Sequence, residues 1–433
     1  MNHFVSNNGE LFCEQMAVAP IAREVGTPFY LYSKATLTRH FLAFDSAFAG
    51  IDHLTCFAVK ACSNIAILNL FSGLGGGADI VSGGELYRAL TAGVDPKRII
   101  YSGVGKTEEE LRYALESKIL LFNVESAQEL ERLQRVAAAM EIKAPVSFRV
   151  NPDVDPQTHA YISTGLAKNK FGVPIDEALD LYVLAKGMEN IEVKGVSCHI
   201  GSQLTLISPF IESLRKVKGF VERLAATGIV IDFIDLGGGV GITYDAEEPP
   251  HPRDYAEAIK EELQGVTATL ILEPGRVIVG NAGILVTEVQ YTKTNRRAGM
   301  KSDQGIEQVK KFVVVDAAMN DLARPSLYGA YHAIVPVQEK GAEREVVDIV
   351  GPICETGDFL AKDRELPRVE QGDLLAVMSA GAYGFSMSSN YNSRPRVAEV
   401  LVDGDSYEII RRRETFESLV QGETLPGGVR HGH

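Results

Sequence analysis

Cysteine is scarce in this chain: Cys13, Cys56, Cys62, Cys198 and Cys354 are the only five among 433 residues. The number is odd, no two form a CxxC pair, and none neighbours a histidine cluster. A disulfide scaffold and a structural zinc site are therefore set aside, and no metal is expected. Positive charge is also short. Forty-three Lys and Arg face fifty-seven Asp and Glu, a formal net charge of −14. That balance argues against a nucleic-acid groove or an anionic membrane surface as the main partner. No apolar run approaches the roughly 18 residues of a transmembrane helix. The first thirty residues carry Glu10, Glu14, Arg23 and Glu24 where a secretory signal has a basic and then an apolar region. The expected compartment is the cytoplasm.

What remains, 45% hydrophobic and 23% charged, is ordinary globular composition. Its informative feature is a rhythm. Eight short apolar runs recur: HLTCFAVKA (53–61), ADIVS (78–82), RIIYSG (98–103), LLFNV (120–124), PVSFRV (145–150), VKGVSCHIG (193–201), IDFIDLGGG (231–239) and LILEPG (270–275). Amphipathic segments separate them, among them GELYRALTAG (84–93), KTEEELRYALES (106–117) and SAQELERLQRVAAAM (126–140). Strands alternating with helices indicate parallel pairing through crossovers, and eight such units match a closed (β/α)8 TIM barrel. A doubly wound sheet is the alternative, but it usually has fewer strands and a GxGxxG turn after the first, where this chain reads AVKAC. After about residue 285, Val-, Ile- and Tyr-rich runs follow without long helices, which predicts a C-terminal antiparallel β domain. The expected boundaries are 36–284 for the barrel and 1–35 plus 285–433 for the β domain. TPFYLYS (27–33) is a further strand that could join either. Residues 295–305 and 414–433 read as mobile.

In a barrel, chemistry sits at the C-terminal ends of the strands. Those ends carry Lys60, Asp79, Ser82, His199, Gly201, Ser202, Gly237, Gly238, Gly239, Glu273, Gly275 and Arg276, a set too polar for packing alone. Three glycines in a row let backbone N–H groups converge on an oxyanion. A flexible turn is the plainer reading of any GGG, and another lies at 75–77. Position after the seventh strand, with Arg276 after the eighth, favours a phosphate cradle. Lys60 in an apolar run is expected to be a desolvated, nucleophilic amine; a surface lysine at a strand end is the plainer reading. Together these residues suit a Schiff base between Lys60 and pyridoxal 5′-phosphate, with Glu273 on the pyridine nitrogen. His199 reads either as a satisfied core histidine or as a ring stacked on a flat cofactor. Cys354 reads either as a small buried apolar residue or, flanked by Glu355 and Asp358, as a proton donor or exposed thiol.

AVKA around Lys60, HIGSQ at 199–203, the glycines at 237–239, EPGR at 273–276, GPICETGD at 351–358 and GAYGFSMSSNYN at 381–392 together resemble the fold-type III pyridoxal-phosphate-dependent decarboxylases. The likeness runs from about residue 10 to 412. RPSLYGAYH (324–332) and ICETGDFLAKDRELP (353–367) resemble the branch of that family acting on meso-2,6-diaminopimelate. The resemblance implies the two-domain architecture of alanine racemase and ornithine decarboxylase. It also implies decarboxylation to L-lysine and CO2, the last step of lysine biosynthesis. Lys60 would carry the cofactor, with Asp79 and Glu85 in support, and His199 would stack on its ring. Ser202, Gly238, Gly239, Gly275 and Arg276 would hold the phosphate. Arg276, Arg324 and Tyr328 would bind the substrate's distal carboxylate and Glu355 its distal amine. Tyr383 would touch cofactor and substrate. Relatives are homodimers, so Cys354, the catalytic thiol, and Glu355 would come from the partner subunit. Cys62 stands where many relatives carry asparagine.

Charge supports that branch. A substrate with a distal cation calls for carboxylates, whereas a distal carboxylate calls for a guanidinium fork. The alternatives are an ornithine or arginine decarboxylase of the same fold, an alanine racemase, a non-catalytic relative and a generic phosphate-binding barrel. The racemase would oppose the pyridine nitrogen with arginine, where this chain has Glu273. The non-catalytic reading leaves Lys60 and Cys354 without a purpose, and the generic barrel leaves the β domain unexplained.

Overall fold

The computed structural model describes residues 2–155, 170–301 and 307–426, without the side chains of 296–308. The chain divides into two compact units. One comprises 35–282 and 381–386; the other comprises the described parts of 1–34, 283–380 and 387–433.

The first unit is a closed barrel of eight parallel strands: β1 (His53–Ala58), β2 (Gly77–Ile80), β3 (Ile99–Tyr101), β4 (Leu121–Val124), β5 (Ala144–Asn151), β6 (Ile191–Ser197), β7 (Phe233–Asp235) and β8 (Thr269–Leu272). Each pairs with the next, and β8 returns to β1 through Leu270–His53, Ile271–Leu54 and Leu272–Thr55. All eight runs found by periodicity are strands. The helices between them start where short polar side chains cap free backbone N–H groups. Ser82 accepts from Glu85 N–H, Thr107 forms a reciprocal capping box with Glu110, and Ser126 accepts from Glu129 N–H. The barrel floor is apolar, with Leu54, Cys56, Ile100, Leu121 and Ile271 buried together.

In the second unit the sheet is mixed rather than purely antiparallel. Gly283–Lys301 runs antiparallel to Glu307–Val315 and to Phe29–Ser33. Phe312–Val314 and Asp348–Val350 are parallel, as are Ala398–Val402 and Phe29–Ser33. The N-terminal strand thus joins this unit and sits between two later ones. Its core gathers Phe4, Leu11, Val18, Phe29, Leu31, Ile284, Val286 and Val400. The segment 295–305, expected to be mobile, continues as strand to Lys301, because the antiparallel ladder persists there with Lys301 opposite Glu307. Residues 302–306 lie outside the described residues. Of the expected mobile tail, Phe416–Leu419 is a short helix capped by Thr415, and 427–433 lie outside the described residues.

Candidate active site

Lys60 does not end the strand. β1 stops at Ala58, and Lys60 occupies a one-turn 3-10 helix, Val59–Ala61. Its Nζ lies 2.5 Å from Asp79 Oδ2 on β2. Burial alone would pull the amine down, but Asp79 and Glu273 push it well above the ordinary lysine range. The expectation of a neutral amine is therefore corrected: in the free site Lys60 is an ammonium held by a carboxylate. Asp79 is fully buried, and its Oδ1 has no hydrogen-bond partner. Glu85 lies on the helix after β2, where its Oε2 accepts from Val81 N–H at 2.7 Å. Burial pushes its carboxyl up to about 7.

Lys60, His199, Ser202, Gly239, Glu273, Gly275, Arg276 and Tyr383 line one small cavity with Ala58 and Val240. His199 Nδ1 accepts from Gly238 N–H at 3.2 Å. Burial, then Arg149 and Lys60, hold the ring well below the ordinary histidine range, so it is neutral. Arg276 Nη2 donates to Ser202 Oγ at 2.9 Å and Nη1 to Tyr244 OH at 2.7 Å. The guanidinium also lies 4.9 Å from the Tyr383 ring centre. Tyr383 comes from the short segment that returns to the barrel unit, and its N–H donates to Ala61 O at 2.8 Å.

The residues fit pyridoxal phosphate. A Cβ on Gly238 would stand 2.1 Å from Glu273 O, and one on Gly239, at φ +122°, 2.5 Å from Gly201 O. At these two positions backbone carbonyls lie where a side chain would begin, so only glycine lets the loop pack this close to Glu273 and Gly201. Ser202 and Arg276 add a hydroxyl and a guanidinium beside that loop. An amine, a carboxyl and a flat neutral ring complete the donor set. Pattern reading missed the layer beneath, where Ser102, Asn123, Ser147 and Asp235 form a buried network reaching Glu273. It also missed Tyr244.

The remaining candidates lie in the second unit. Arg324 begins the short helix Arg324–Tyr328 and is 7% exposed. Its Nη1 lies 2.9 Å from His332 Nε2, while His332 Nδ1 lies 2.9 Å from Met378 O. A carbonyl only accepts, so Nδ1 carries the proton and Nε2 receives the guanidinium. His332 thereby aims Arg324, a link only the last residue of RPSLYGAYH hinted at. Tyr328 is half-buried, and Cys354 and Glu355 are exposed. Ser326 Oγ donates to Gly357 O at 2.6 Å. Asp358 accepts from Met319 and Ile353 N–H, each at 2.7 Å. These bonds tie the Arg324 helix and the Cys354 loop into one cluster.

Comparison with known proteins agrees over nearly the whole length. The family model for the pyridoxal binding domain of pyridoxal-dependent decarboxylases matches residues 34–280. A diaminopimelate decarboxylase of Pseudomonas aeruginosa is 55% identical over 98% of this chain and 99% of its own. One of Vibrio cholerae is 50% identical over 97% and 98%. The crystal structure of the Helicobacter pylori diaminopimelate decarboxylase, complexed with L-lysine, is 45% identical with a TM-score of 0.87, covering 93% of this chain and 98% of that one. With a matching barrel model and full-length relatives at this identity, the chain belongs to the diaminopimelate decarboxylases, within the pyridoxal-dependent decarboxylase family.

Proposed function

We propose that this protein is a pyridoxal-phosphate-dependent carboxy-lyase that converts meso-2,6-diaminopimelate to L-lysine and CO2. The observation that carries the reading is the barrel cavity in which Lys60, paired to Asp79, meets Glu273, His199, Ser202, Arg276 and the glycine loop at Gly239. When bound, pyridoxal phosphate supplies an electron sink for the pair left at Cα as CO2 departs.

The chain's own residues supply position and protons. Lys60 would hold the cofactor through its Nζ, with Asp79 beside that nitrogen to take up or release charge with it. Glu273 would serve the cofactor's pyridine nitrogen and favour its charged form. His199, its Nδ1 occupied by Gly238, presents a ring face that shields one side of Cα. Ser202, Gly238, Gly239, Gly275 and Arg276 take the phosphate. Arg324, aimed by His332, forks onto the distal carboxylate with Arg276 and Tyr328, Glu355 receives the distal amine, and Tyr383 bridges cofactor and substrate. Cys354 would return the proton to Cα as the general acid. Support for these roles is chemical fit and motif order. The same reading makes the enzyme a cytoplasmic homodimer in which Cys354 and Glu355 reach the partner's barrel.

The test is turnover of meso-diaminopimelate, L-ornithine and L-arginine by protein supplied with pyridoxal phosphate. L-lysine from diaminopimelate alone is expected. Turnover of ornithine or arginine keeps fold and cofactor but overturns the roles of Arg324 and Glu355. Mixing inactive K60A and C354A chains should restore up to about a quarter of wild-type activity if each site draws on two subunits; no recovery places Cys354 in its own chain's site.

A further inference from the structure

Charge does not balance inside the barrel's upper layer. Asp79 and Asp235 are fully buried and Glu273 is 7% exposed; of the cations nearby, Lys60 is paired to Asp79, Arg149 to Glu125, and Arg276 donates to Ser202 and Tyr244. Lys60 is spoken for by Asp79, which leaves Asp235 and Glu273 as a second, uncompensated pair. The pair is physically joined. Asp235 Oδ2 accepts from Asn123 Nδ2 at 2.8 Å, the same amide donates to Ser102 Oγ at 3.1 Å, and Ser102 Oγ donates to Glu273 Oε1 at 3.3 Å. Asn123 is fixed in turn by Ser147, whose hydroxyl donates to its Oδ1.

The two carboxyls are not equally served. Asp235 accepts two good bonds, the second from Gly237 N–H to Oδ1 at 2.8 Å, whereas Glu273 accepts one long one. Donors stabilise a carboxylate's charged form. Of the two, Asp235 therefore keeps the charge and Glu273 takes the proton. Burial raises both carboxyls, Asp235 to about 6 and Glu273 well above the usual range, in the same order. The groups facing the pair include Asp79, Lys60 and the buried, neutral thiols of Cys56 and Cys198.

We infer that Asp235 is a positioning residue for the cofactor's ring nitrogen: held ionised by Gly237 and Asn123, it supplies a second negative charge behind Glu273. That charge makes the site selective for a protonated nitrogen. The inference rests on reading Glu273 as the nitrogen's partner. Either a solvent proton on Glu273 or a pyridinium opposite it satisfies the uncompensated charge. A ring lacking the nitrogen satisfies nothing. Asp235 also grips the first residue of the glycine loop, so the same side chain sets the phosphate end.

The probe is the affinity of the cofactor-free apoprotein for pyridoxal phosphate relative to its 1-deaza analogue, in which a C–H replaces the ring nitrogen. Wild type should prefer pyridoxal phosphate strongly, and E273Q should abolish that preference. D235N removes a charge and little volume, and should cut the preference by about tenfold or more, while D235E should retain most of it. A structural defect would weaken both ligands together and leave the ratio unmoved. Should the amide variant not fold, Asp235→Ser, which admits water, reads the same ratio. An unchanged ratio in the folded neutral variant overturns the inference. No preference in wild type overturns instead the reading of Glu273.

Discussion

Ile100 and Ser102, Leu121 and Asn123, and Ile271 and Glu273 are three pairs set two residues apart along β3, β4 and β8 or at their ends, in one barrel. Spacing of two keeps each pair on the same face of the sheet. The first members join Leu54 and Cys56 in an apolar floor. The second members join Asp79, Ser147 and Asp235 in a buried layer of carboxyls, amide and hydroxyls. One step of the pleat, about 7 Å, separates a layer that stabilises from a layer that carries chemistry. The floor gains from every apolar contact it buries. The upper layer holds charges at a cost in desolvation, and stays folded because hydrogen bonds and the floor beneath offset that cost.

Each layer can be struck separately. Lys60→Ala should leave the fold intact but cut turnover by about 10³-fold or more, and purified protein should lose the absorbance of covalently held cofactor. An unchanged spectrum would contradict the assignment of Lys60. Leu121→Ala strikes the floor. Denaturant unfolding should show a loss of about 2–5 kcal/mol, with cofactor affinity of the folded protein nearly unchanged; a loss of affinity without a loss of stability would merge the two layers. Gly238→Ala forces Cβ onto Glu273 O and moves the loop against the end of β8. Cofactor affinity should fall about 10²-fold, and wild-type affinity would mean that the loop has room to shift.

The smallest effect is a pH dependence. Burial raises Asp235 from 3.8 to about 6, so the folded state binds more protons than the unfolded chain between those values. Stability from this group is present at low pH and lost as pH rises. Relative to D235N, cofactor-free wild type should lose about 1.4 kcal/mol per pH unit across that window. Parallel stability curves for the two proteins would show that Asp235 does not titrate there.

Periodicity made the barrel legible because eight apolar runs at regular spacing admit few other folds. It could not show which residues of β3, β4 and β7 face inward, since runs of three or four residues hold only one or two turns of the alternation. Ser102, Asn123 and Asp235 therefore passed as ordinary strand ends. Lys60 was found from its setting but given the wrong charge state, because its partner Asp79 lies on the next strand and only the parallel register brings the two together. The β domain was recognised from its composition, yet the parallel pairings within it depend on long-range order that no local pattern encodes. Tyr383 was reached by resemblance alone: nothing near it in the chain says that six residues return to the barrel unit.

That return, and the placement of the strand Phe29–Ser33, set a timetable for the ribosome. Tyr32 waits for Gly283, about 250 residues later, before its ladder can form, an interval of roughly 12–50 s at 5–20 residues per second. The eight barrel strands emerge between those two partners and have time to close before Phe29–Ser33 finds its place. Tyr383 arrives about 110 residues after β8 ends, so nascent chains hold a closed barrel before they hold a finished site. A chain stalled in that interval would be folded at its floor and unable to work.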